Sequence, residues 1–185
     1  MSHIFHHTIF VILVTSSVAT TMAQERGDSP FSDSLYTVAG LLKVIAQEES
    51  CRYEVVLNGK RIWYSDCRAT SSVEAEMPIP TIHTYYKQGV QPFAEVILMQ
   101  QQMLGNACNG GPLWFIGLHQ NGSYALSQRI AFCGGRQPII TWSENKITVV
   151  LPGGPPNRGT RIIPTVTWVY ENGQVKQTKA LKRPK

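Results

Sequence analysis

Of the four Asn-Gly pairs in this chain, three, at 58–59, 121–122 and 172–173, lie between short strand-like runs. The pair suits a two-residue type I′ turn, whose two central residues both need positive φ. Such a turn fixes the register of the strands it joins. A lone hairpin is marginal in water, so these strands must join into larger sheets. The expected fold is all-β: a single-domain antiparallel sandwich or barrel built from Asn-Gly hairpins. The hairpins share no common sequence, so a propeller or solenoid is not indicated.

Residues 105–135 form the organising stretch. A two-residue turn at Asn121-Gly122 sets His119 opposite Tyr124, Phe115 opposite Gln128 and Leu113 opposite Ile130. One face then reads Leu113, Phe115, Tyr124, Leu126, Ile130 and Phe132, which is core by its apolar character. Trp114 falls on the other face, opposite Arg129. In the hairpin at 51–67, turning at Asn58-Gly59, Tyr53 faces Tyr64 and Val55 faces Ile62. Glu54 then faces Trp63, and Val56 faces Arg61. The last hairpin turns at Asn172-Gly173, with Tyr170 opposite Val175 and Trp168 opposite Gln177.

The start of the chain reads as an export signal. An apolar segment over 4–23 ends in Thr21-Met22-Ala23, and every Lys, Arg, Asp and Glu lies beyond it. Its n-region carries His3, His6 and His7 in place of Lys or Arg. The expected division is a signal peptide over 1–23, a flexible linker over 24–34, the β domain over 35–178 and a basic tail over 179–185. Residues 33–49 fit either a short helix, through Leu35, Val38, Leu42 and Ile45, or a strand over 41–46; Gly40 and the acids at Glu48 and Glu49 favour the strand. The destination is periplasmic or secreted, with no stable membrane insertion.

Export gives the cysteines a meaning. Four of them, Cys51, Cys67, Cys108 and Cys133, suit two disulfides in an oxidising compartment. Sequence proximity favours Cys51–Cys67 and Cys108–Cys133. In strict register Cys51 and Cys67 fall on opposite faces, so a β-bulge is needed to join them. No Cys-x-x-Cys occurs, which removes the usual redox and zinc-ribbon patterns.

Chemistry-bearing motifs are few. The sequence has no G-x-S-x-G, H-E-x-x-H, P-loop or dinucleotide-binding motif. Beyond residue 23 the only histidines are His83 and His119, and a hydrolase would have to use one of them with an acid. The candidate binding residues are Trp63 with Arg61 and Trp114 with Arg129, each pair on the less apolar face of its hairpin. Trp and Arg are the residues that anchor protein partners, and Trp also stacks on sugar rings. The formal net charge of +5 suits an anionic surrounding. The leading expectation is an exported, non-catalytic binding protein of inhibitor or immunity type with a protein partner. The alternatives are a cell-wall or carbohydrate-binding module, and a hydrolase. No cofactor, metal or nucleic acid is expected.

Overall fold

The computed structural model describes residues 32–47, 52–66, 79–102, 110–132, 136–155, 160 and 162–178. Among them the chain is all-β: twelve strands in three four-stranded antiparallel sheets, with no helix. The first sheet holds β1 (Ser32–Thr37), β2 (Gly40–Gln47), β3 (Arg52–Leu57) and β4 (Lys60–Asp66). The second holds β5 (Ile79–Tyr86), β6 (Glu95–Gln102), β7 (Leu113–Leu118) and β8 (Tyr124–Leu126). The third holds β9 (Ile139–Ser143), β10 (Lys146–Leu151), β11 (Val166–Glu171) and β12 (Gln174–Thr178). Each sheet is a meander in chain order. The expected signal peptide over 1–23, residues 24–31, all four cysteines and residues 179–185 lie outside the described residues.

The sheets stack in three layers, with the second in the middle. Val96, Leu98, Leu113 and Phe115 of the middle sheet pack with Ile147, Val149 and Tyr170 of the third. Ile97, Met99, Trp114, Ile116 and Leu118 pack with Leu42, Val44, Val55 and Leu57 of the first. Alternate residues of β6 and β7 thus serve two cores, which is why β7 reads as an unbroken apolar run and is buried along its whole length. Each large side chain so enclosed contributes roughly 1.5–3 kcal/mol of burial.

The central hairpin departs from its expected register. The amide of Gly122 donates to the His119 carbonyl (3.0 Å), and the amide of His119 donates to the Ser123 carbonyl (2.9 Å). Gly122 has φ +82, whereas Asn121 is not left-handed. This is a three-residue loop with glycine in the left-handed third position. One added loop residue pairs Leu118 with Tyr124 in place of His119 with Tyr124. The amide of Ser127, not Gln128, bonds the Phe115 carbonyl, and Leu113 regains its pairing with Ile130 beyond a local irregularity. Tyr124 consequently packs with the first sheet, while Leu113, Phe115, Ile130 and Phe132 face the third.

Residues 33–47 are two strands. Leu35 pairs with Leu42 across a turn at Val38 and Ala39, and that turn resets the apolar alternation into a spacing that mimics a helix. β1 begins at Ser32, inside the stretch that composition reads as linker. Asn58 (φ 49) and Gly59 (φ 77) form the turn between β3 and β4, and Asn172 (φ 50) and Gly173 (φ 75) that between β11 and β12. In the last hairpin Tyr170 pairs with Val175 and Trp168 with Gln177.

Hairpin turns from all three sheets meet at one end of the stack. Asn58 bonds Ala39 and Leu41, Glu95 accepts from the Val38 amide (2.6 Å), and Trp142 donates its indole N–H to the Gly89 carbonyl (3.0 Å). Phe93 fills the space over Gly117, and its ring lies 4.8 Å from that of His119 and 6.4 Å from that of Tyr170.

Candidate binding surface

A β-bulge in β4 decides where the candidate side chains go. Leu57 pairs with Lys60 and Val56 with Arg61, as a two-residue turn requires. Val55 then pairs with Trp63, leaving Ile62 as the extra residue. Beyond the bulge Glu54 faces Tyr64 and Tyr53 faces Ser65, one position on from the expected pairs. Alternation reverses there, so Trp63 turns to the inner face with Val55 and Tyr64 takes the outer one. Val55 opposite Ile62 and Glu54 opposite Trp63 are therefore both corrected.

The inward turn stacks Trp63 on Trp114, with ring centroids 5.1 Å apart and planes 24° from parallel. The guanidinium of Arg129 lies over the Trp63 ring, 5.7 Å from its centroid. Three of the four candidates thus meet in one column, Arg129–Trp63–Trp114, at the junction of the first two sheets. Trp114 is 2% exposed, and its indole N–H has no hydrogen-bond partner among the described residues. An unpaired buried donor costs about 1–3 kcal/mol, which the area that Trp114 buries offsets. Trp63 is half-buried, and a sugar ring stacking on it would have to compete with Arg129.

Arg61 stands apart from the column, on the outer face. Its Nη1 donates to Glu54 Oε1 (3.2 Å), and its guanidinium lies 4.9 Å from the centre of the Tyr64 ring. Tyr64 is 52% exposed and Tyr36, on the same face, 83%. Partly apolar neighbours lie between them: Leu41 and Ile45 of β2 and Val56 of β3. The sequence reading missed both tyrosines. The need for a bulge between Cys51 and Cys67 was the available signal, since that same bulge turns Tyr64 outward.

The open face of the third sheet differs in chemistry. It presents Ile139, Thr141, Thr148, Val150, Thr167 and Val169, with no aromatic ring.

The two histidines are separate. His83 is the extra residue of a second bulge, between Ile82 and Thr84, and its Nδ1 lies 2.8 Å from Thr84 Oγ1. Partial burial holds its pKa below the usual histidine value. His119 packs against Phe93 in the β7–β8 loop. Neither is bonded to a carboxylate among the described residues. Elsewhere, a cleft of about 120 Å³ lies between Phe132, Leu151, Ile163 and Pro164, with Arg136 at its rim. Compared with known proteins, the chain matches no family model, no curated protein and no solved structure.

Proposed function

We propose that the protein is an exported, non-catalytic binding protein, of inhibitor or immunity type, that recognises a protein partner through the open face of its first sheet. The supporting observation is the exposed Tyr64 ring with the Arg61 guanidinium laid against it. Tyr and Arg are the residues that most often dominate interface energetics, and a rigid sheet presents them with little ordering cost. The Arg129–Trp63–Trp114 column lies behind that face, where it braces β4 against β7.

Export and two disulfides belong to the same proposal. The shifted register of β3 and β4 is described as far as Arg52 opposite Asp66. A one-residue shift of this kind supports the proposed Cys51–Cys67 bridge, whose two cysteines lie outside the described residues. Cys108–Cys133 would close the segment around β7 and β8.

The test uses the mature, oxidised protein as bait against envelope and culture-supernatant extracts, with Tyr64→Ala and Thr141→Ala beside the wild type. One stoichiometric protein, held by wild type and Thr141→Ala and weakened about tenfold or more by Tyr64→Ala, is the outcome expected. Capture that ignores Tyr64→Ala contradicts the proposed face. Retention on insoluble wall polysaccharide, with no protein captured, replaces the proposal with a wall-binding module.

A further inference from the structure

The charges of the first sheet's open face are arranged as closely as its rings. Lys43, Val56 and Arg61 form one row across β2, β3 and β4, since Lys43 pairs with Val56 and Val56 with Arg61. Two strand spacings separate the two positions, placing their Cα atoms about 10 Å apart with an apolar residue between. Both are exposed. The neighbouring row contributes the carboxylate of Glu54, which engages one edge of the Arg61 guanidinium at 3.2 Å. Lys43 makes no ion pair with a described residue. The Arg61 guanidinium lies over the Tyr64 ring, and its remaining N–H groups form a fork suited to a carboxylate. The third sheet's open face offers no such arrangement. Its Lys146 shares a row with Glu171, and Lys176 lies among Thr148 and Val169.

Building on the protein-binding reading, we infer that the partner is an acidic protein surface presenting two carboxylates, one for Lys43 and one for Arg61, with an apolar group between them over Val56. Tyr64 and Tyr36 flank this contact and exclude water from it, as aromatic residues do around a charged pair at an interface. Electrostatic complementarity of this kind sets association rate and specificity more than it sets raw affinity.

The experiment measures association of the full-length oxidised protein with its captured partner, in low and in high salt. Lys43→Glu and Arg61→Glu are compared with Lys176→Glu on the opposite face. Each reversal on the first sheet should slow association about tenfold and flatten its salt dependence, while Lys176→Glu should leave both unchanged. Arg61→Lys should restore part of the rate, which separates loss of charge from loss of fold, and an unchanged denaturation midpoint for each variant confirms that separation. A partner whose binding ignores both reversals would overturn the acidic-surface inference and leave the protein-binding reading intact. The absence of any captured protein would overturn both.

Discussion

Trp63 lies with its ring 5.1 Å from that of Trp114, although the two belong to different sheets and alternation from the Asn58-Gly59 turn would point Trp63 the other way. One inserted residue, Ile62, makes the difference. Because it occupies the bulge, removing it regularises β4 without changing what Trp63 faces. Deleting Ile62 should therefore keep the Trp63–Trp114 stack, with near-UV circular dichroism retained, and cost about 1–3 kcal/mol for its lost burial. An inverted tryptophan environment in that variant would show the bulge to be misplaced.

The two ends of the column should respond differently to truncation. Trp114→Ala opens a cavity between the first two sheets and should cost about 3–5 kcal/mol in urea denaturation. Arg129→Ala removes a partly exposed cation and should cost less than about 1 kcal/mol, while changing the fluorescence of Trp63. Comparable stability losses for the two variants would contradict the order Arg129–Trp63–Trp114 from surface to core.

Asn58 ties the turns of the first two hairpins together. Its Nδ2 donates to the Ala39 carbonyl (2.6 Å), its Oδ1 accepts from the Leu41 amide (2.9 Å), and its own amide donates to the Leu41 carbonyl (2.9 Å). Gly40, with φ +114, passes directly beneath this carboxamide, where any Cβ would collide with it. Asn58→Asp exchanges a donor for an acceptor facing a carbonyl and should destabilise by about 1–3 kcal/mol. Gly40→Ala should cost at least as much. A neutral result for both would remove the clamp.

These interactions show which parts of the architecture were legible in the sequence. Apolar alternation around short turns identifies an all-β chain, and the last hairpin pairs Tyr170 with Val175. Three layers were not legible, because a strand buried on both faces, such as β7, loses the alternation that would reveal its two cores. Single inserted residues were equally hidden. Ile62, His83 and the third loop residue before Ser123 each shift a register by one, and no local composition marks them. Those shifts carry Trp63 inward and Tyr64 outward, so the candidate surface moved by one residue along β4.

His83 gives the fold a pH dependence of definite sign. Its folded-state pKa is lowered by burial, so the unfolded chain binds its proton more readily. The contribution is fully present above the unfolded value near pH ~6.5 and is lost as pH falls toward the folded one. Denaturation midpoints should decline over that range, and His83→Gln should flatten the decline. An unchanged slope in His83→Gln would assign the dependence to other groups.

The cysteine pairing is checked by non-reducing peptide mapping of the oxidised protein. Peptides joining Cys51 to Cys67 and Cys108 to Cys133 are expected. Cys51→Ser and Cys67→Ser should each cost about 3 kcal/mol, the chain-entropy value for a loop of this size. A peptide joining Cys51 to Cys133 would contradict the proposed pairing.

The most direct test of the recognition surface places a photo-crosslinking residue at position 64, on the open face of the first sheet, and in a second protein at position 139, on that of the third. Both are irradiated in envelope extract. Position 64 should yield one discrete protein adduct, and position 139 should yield none. Adducts from 139 alone, or equal adducts from both, would contradict recognition through the face that carries Tyr64 and Arg61.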